Sequence, residues 1–227
     1  MPYSFSRSIT IDESLCGSGD STDFPMLFSG TYLYLRTVGN GGDVQNGSGF
    51  DIVFSSDAFG SSLLKWEVER YNAVTGEIAV WVKIPTLSSS VDTVIYLVYG
   101  NSAISTFQGD VNGTWDANYR AVYHYPDGSS LTVLDSTSNG ADGTVTGGVT
   151  AAAGVIDGDG DFNGSTGRVD ASGYSSNTSS GSFECWINPD ANGGVFIADG
   201  ASLGAPYFYL HTDNCLHAAC AALNNPT

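Results

Sequence analysis

The stretch from Ser61 to Asn101 reads SSLLKWEVERYNAVTGEIAVWVKIPTLSSSVDTVIYLVYGN. In its first part Leu64, Trp66 and Val68 alternate with Lys65, Glu67 and Glu69. After Thr75-Gly76, the residues Ile78, Val80, Val82 and Ile84 alternate with Glu77, Ala79, Trp81 and Lys83. Period two on both sides of a turn predicts a β-hairpin. The run Thr93 to Tyr99 is apolar at nearly every position and rich in β-branched and aromatic residues, the pattern of a strand buried on both faces. Three such strands predict the centre of a β-sandwich.

Upstream, Ser6 to Asp12 alternates as a strand. Phe24 to Phe28 reads as another, with Pro25 suited to an edge or a strand start. Gly39 to Gly49 has turn chemistry, and Phe50 to Ser55 fits a short strand. Thr31 to Val38 fits either a strand or a helical turn. With 29 glycines, 12% aromatic residues and no window of sustained helical periodicity, the expected class is all-β. Seven Lys+Arg stand against 24 Asp+Glu, a formal charge of −17. Such a surface repels phosphate backbones, so nucleic acid is not an expected partner. It also favours neutral or cationic surfaces over sulfated or phosphorylated glycans. No apolar run reaches the length of a membrane span, so no membrane insertion is expected. The N-terminal residues Met-Pro-Tyr-Ser-Phe-Ser-Arg have neither a basic nor an apolar export region.

The succession SITID, TDFPMLFSG, GFDIVFSSD and LLKWEVERYNAVTGEIAVWVKIPTLSSSVDTVIYLVYGN, spanning about residues 3 to 105, resembles the DUF2341 family. The resemblance implies a β-sandwich module found in prokaryotic surface proteins and phage genes, and it implies no catalytic residue. A polar connection, Ser102 to Asn118, places an expected boundary near Asn112. Beyond it, Tyr119 to Tyr125 reads as a strand. The segments AVYHY, DSTSNGADGTV, GDFNGSTGRVD and SFECWINP resemble laminin-G-like, concanavalin-A-like jelly-roll domains. The expectation is two tandem β-sandwich, jelly-roll-like domains, residues 1–112 and 113–227. The second has few residues for such a jelly roll and is expected to lack late strands or to continue beyond Thr227.

The oxygen-rich loop Asp157 to Asn163 makes Asp161 and Asn163 candidate calcium ligands, because laminin-G-like relatives hold calcium at loop ends; the alternative is ordinary turn chemistry. Asp135 to Asp142 has a similar composition. No cofactor is otherwise required. His211, Cys215, His217 and Cys220 supply zinc-type ligands without the spacing of a recognised site; the alternative is a hairpin whose cysteines are free or paired, Cys215 with Cys220 or one of them with Cys185, a choice the sequence leaves open. Glu67 and Glu69 share a strand face about 7 Å apart along it, and the expectation there is a solvated outer face in place of a glycosidase pair. His124 has no Ser or Cys partner in a nucleophile motif. Sequons at Asn46, Asn112, Asn163 and Asn177 follow from composition.

Trp186, Tyr207 and Tyr209 are the candidate ligand-binding residues, since sugar-binding sandwiches use exposed aromatic rings. The expected function is a non-enzymatic structural and adhesive component of a phage or virus particle, a capsid decoration, head fibre or tail fibre, located in the virion. Its expected partners are other virion or surface-assembly proteins, glycans on a host surface, and copies of itself in a homo-oligomer. The alternatives are a fragment of a secreted prokaryotic adhesin or filament subunit at the cell surface and, more remotely, a concanavalin-like glycan-active enzyme.

Overall fold

Alternating apolar residues in the first hundred positions assemble two three-stranded antiparallel sheets in the computed structural model. It describes residues 3–126, 131–171, 182–190, 195–198, 206–210 and 215–220. The chain is all-β and divides into two compact units, Met1–Tyr174 and Ser175–Thr227.

In the first unit, β1 (Phe5–Ile11), β2 (Ser21–Thr31), β3 (Val53–Ser55), β4 (Lys65–Asn72), β5 (Glu77–Leu87) and β6 (Thr93–Tyr99) form two sheets in the orders β1-β6-β3 and β2-β5-β4. The hairpin expected around Thr75-Gly76 is β4-β5. Its turn needs glycine: Gly76 has φ +73°, and a Cβ there would meet the Tyr32 carbonyl oxygen at 2.1 Å. Pro25 lies on an edge strand, where its missing N–H costs no ladder bond. The chain from Thr31 to Val38 ends β2 and continues into two short 3-10 turns, Leu33–Leu35 and Val38–Asn40.

The sandwich core holds Trp66, Ile78, Val80, Val82, Ile84, Leu97, Tyr99, Phe54 and Leu35, all within 2% of complete burial. The alternation of β5 is thus read correctly, with Val80 and Val82 inside. Tyr99, Val98 and Leu97 are buried, but Val94 is 43% exposed, so β6 is buried on both faces only towards its end.

After β6 the chain makes one helical turn, α1 (Val111–Thr114), capped by the Asp110 carboxylate on the Gly113 N–H. The run Tyr119 to Tyr125 is not a strand: its residues join no ladder. The Val122 N–H and the Ser136 N–H are instead satisfied by the Asp135 carboxylate and the Val122 carbonyl. We call residues 111–142 the strap. Two two-stranded ribbons follow, β7 (Gly143–Thr146) with β10 (Arg168–Ala171), and β8 (Val149–Ala153) with β9 (Gly158–Phe162). Residues 113–174, expected in the second sandwich, belong to the first compact unit. The second unit contains a three-stranded antiparallel sheet of β11 (Val195–Ala198), β12 (Pro206–Leu210) and β13 (Leu216–Cys220), with β12 central.

Candidate functional site

The strap covers the side of the β4-β5 hairpin that faces away from the core. Glu67 is only 7% exposed, and the Glu69 side chain 5%. The solvated face expected for this pair is therefore overturned: both carboxylates are buried, and Trp115 and His124 of the strap lie over them. Trp115 donates its indole N–H to Glu67 Oε2 at 2.8 Å, and Trp81 donates its own to Glu69 Oε2 at 2.6 Å. Ser136 donates its hydroxyl to Glu67 Oε1 at 2.5 Å. The rings of Trp81 and Trp115 pack with centroids 5.4 Å apart, and that of Trp115 lies 5.9 Å from His124.

His124 bridges the two acids. Its Nε2 lies 3.2 Å from Glu67 Oε2 and its Nδ1 3.2 Å from Glu69 Oε2. A neutral imidazole has one N–H and would leave one of these contacts without a donor, whereas the imidazolium donates to both. Burial by itself lowers the His124 pKa, but the hydrogen bonds and negative charges of Glu67 and Glu69 outweigh it and raise the value to about 9. The cluster is thus a charge-assisted clamp of one cation between two anions, with indole and hydroxyl donors on both Glu67 oxygens and an indole donor on Glu69 Oε2.

Period two puts both acids on this side, and a bulge in β4 then resets the alternation for the residues after them. Pairing with β5 shifts between Val68 and Arg70, so Glu69 is the extra residue. Beyond the bulge Tyr71 turns towards the core and donates its hydroxyl to the Leu35 carbonyl at 2.7 Å. Arg70 pairs with Glu77 at 2.9 Å.

Two further buried acids organise loops. Asp51, with no exposed surface, accepts the backbone N–H groups of Gln45, Asn46, Gly100 and Asn101. Asp135 accepts those of Val122, Thr137 and Ala141, and the Thr137 hydroxyl. Burial would raise the Asp135 pKa, but these bonds to its charged form hold it below the ordinary carboxylate value. Its oxygens are therefore engaged by donors of the Asp135 to Asp142 loop and by the Val122 N–H.

Asp161 lies exposed on β9, opposite Thr150. Asn163 Oδ1 accepts the N–H groups of Ser165, Thr166 and Gly167, a side-chain cap on the turn that follows β9. Among the described residues, no group of three or more His, Cys, Asp or Glu side chains gathers in a way that could hold a metal ion. Trp186 is 71% exposed. Tyr207 and Tyr209 are on β12, the central strand of its sheet; their side chains lie outside the described residues, as do those of His211, His217 and Cys220. Cys16 and Cys185 are free thiols.

A family profile, described as a domain of unknown function (DUF2341), matches residues 48–139. Residues 48–139 carry a DUF2341 domain. The match begins later and ends later than the stretch of about residues 3 to 105 that carried the resemblance, leaving residues 3–47 outside it, and it contains Glu67, Glu69, Trp81, Trp115, His124 and Ser136. The whole clamp therefore lies within the DUF2341 domain, which includes the strap up to residue 139. No curated protein and no solved structure matches the chain. Sequence reasoning missed the clamp because its halves lie about fifty residues apart. One signal was available: Trp81 falls on the outward side of the β4-β5 alternation, where a large aromatic residue asks for a cover.

Proposed function

We propose that this chain is a non-enzymatic structural and adhesive component of a phage or virus particle, with the DUF2341 domain as a rigid building block that presents binding surfaces. The observation that carries this reading is the closed state of the clamp. In the described residues, it is where carboxylates and an imidazole converge, and every one of these groups is engaged in fixing the strap to the sheet. Such a cluster resists local opening in a particle exposed to the environment. The formal charge of −17 favours solubility and, at long range, favours neutral or cationic surfaces over sulfated or phosphorylated ones, with contacts through sheet edges and apolar patches. Assembly with copies of itself and with other particle proteins fits this role, as does attachment to glycans on a host surface. Calcium, if held by the turns around Asp161 and Asn163, would add to stability without taking part in chemistry.

The test is immunogold labelling of the natural source combined with a glycan-turnover assay. Label on particles and no turnover are expected. Label on cell envelopes would replace the particle by a prokaryotic surface adhesin or filament, and turnover of a glycan would overturn the non-enzymatic reading.

A further inference from the structure

The two sheets of the sandwich are joined closely at one edge, where the Leu64 N–H donates to the Phe54 carbonyl. At the other edge lie β1 and β2, each the last strand of its sheet. A groove of about 550 Å³ opens there, within the size range of small-ligand sites. Its lining includes Ser6, Arg7 and Ser8 from β1, Phe28 from β2, and Tyr32 and Tyr34 from the turn after β2.

Aromatic rings form a continuous row along it. Phe28 stacks on Tyr32 with centroids 5.3 Å apart and planes 10° from parallel, Tyr32 meets Tyr34 at 5.4 Å, and Tyr34 stacks on buried Tyr99 at 5.6 Å. The Arg7 guanidinium lies over the Tyr34 ring, 3.8 Å from its centroid, and donates from Nε to the Tyr99 hydroxyl at 3.0 Å. That uses one of its five N–H donors and leaves the Nη pair. Lys65, Arg70, Lys83 and Arg168 each have a carboxylate within ion-pair distance, whereas Arg7, Arg36 and Arg120 have none among the described residues, and of these three it is Arg7 that is held over an aromatic ring. In a chain with 24 acidic residues, an oriented cation without a carboxylate, beside a row of tyrosine rings, calls for one from outside.

We propose that this groove binds a saccharide bearing a carboxylate, a uronic or sialic acid unit, with the Arg7 Nη donors on the carboxylate and the rings of Tyr32 and Tyr34 against the sugar face. A planar guanidinium matches a carboxylate with two parallel hydrogen bonds, and its stacking on Tyr34 orients it before the ligand arrives. The alternative occupant of such an edge, an added peptide strand, is opposed by the edge itself. Arg7 sits in the middle of β1, and β2 carries Pro25 and the positive φ of Asp23. Charge, proline and backbone irregularity are devices that deter strand pairing. The net negative charge of the chain acts against an anionic ligand at long range. At about 0.15 M salt the Debye length is about 8 Å, which leaves Arg7 and nearby Asp43 as the charges that matter in the groove.

The inference deepens the surface-binding part of the proposed function and rests on that reading only for its biological setting. The experiment is calorimetric titration of the full chain, at physiological salt, with a panel of uronate and sialyl trisaccharides and the methyl ester of each. At least one acid is expected to bind, with its ester at least tenfold weaker. Arg7→Gln should weaken the acid at least tenfold and bring it close to its ester, with a small fall in melting temperature because the Tyr99 hydroxyl loses its Arg7 donor, and Tyr32→Ala should weaken both acid and ester. No binding across the panel, equal affinity for acid and ester, or an unaffected Arg7→Gln variant would overturn the site. So would a tri-glutamate peptide bound as tightly as the best sugar. Adhesion of the chain to host cells that survives without any saccharide binding would sink the groove and leave the adhesive role. Saccharide binding without adhesion would do the reverse.

Discussion

His124 faces a carboxylate at each ring nitrogen, so its charge is tied to the folded state. Its ordinary value is 6.5 and its folded value about 9. A raised folded value means that the stabilisation is fully present below about pH 6.5 and is lost as pH rises through about 9. The side chain is 14% exposed, so solvent screens the pair only slightly, and the shift corresponds to a contribution on the order of 3 kcal/mol at the acid end of that window. In urea unfolding, the stability gap between the native chain and His124→Gln should be widest near pH 6 and nearly closed by pH 9.5. A gap that stays constant over this range would mean that His124 is neutral in the folded protein. At this scale the sequence was legible in part. Period two shows that Glu67 and Glu69 share a side with Trp81, but nothing near them shows what covers that side. The partner comes from Trp115, His124 and Ser136, and the strap reaches them without regular structure or periodicity. Asp135 is opaque for the same reason. An Asp among Ser, Thr, Asn and Gly reads as turn or cation chemistry alike, and only the positions of the Val122, Thr137 and Ala141 N–H groups decide between them.

At the scale of the element, β5 is covered on both sides, by the core and by the strap. Ile78, Val80, Val82 and Ile84 fill the interior while Ala79, 1% exposed, and Trp81 lie on the other side, Trp81 beneath Trp115 and His124 of the strap. Alternation was enough to assign the inner set because a one-residue slip would exchange every side chain between the two faces. Val80→Ala or Val82→Ala should each cost about 1–3 kcal/mol, from lost burial and the cavity left behind. Urea unfolding checks this, and a loss below about half a kilocalorie at both sites would show that neither valine is packed as described. The β4 bulge was also written in the sequence, as a break in period. Apolar residues fall at Trp66 and Val68 and then at Tyr71, an interval of three, which an extra residue at Glu69 accommodates. The 3-10 turns after β2 were not legible, because Leu33 to Leu35 suits a strand as well as a turn. The local competition is decided by Gly76, whose carbonyl accepts the Tyr32 N–H and draws that segment across the hairpin end.

For the whole molecule, composition made the all-β class plain, but it drew the line between parts where polarity changes, near Asn112. Polarity marks exposure of the backbone to solvent or to side-chain acceptors and does not mark the end of a packed unit. The connection around Asn112 is polar because it is tied down by polar groups. Asp110 caps α1 and pairs with Lys65 at 2.9 Å, and the Asn112 side chain donates to the Ser136 and Thr137 carbonyls. These bonds turn the chain back over the hairpin instead of releasing it as a linker. A chain ending at Asn112 would therefore leave Glu67, Glu69 and the outer face of Trp81 open to water, with two like charges on one strand and no His124 between them. A chain ending at Tyr174 keeps the strap and both ribbons. The expected outcome is that the 1–112 fragment melts well below the 1–174 fragment, and that its Trp81 fluorescence is shifted to the red by solvent. Both fragments should retain the β-sheet circular dichroism of the sandwich, because its core lies before residue 112. Equal melting temperatures would show that the strap rests on a sandwich that stands without it, and that the boundary near Asn112 divides independently stable parts after all.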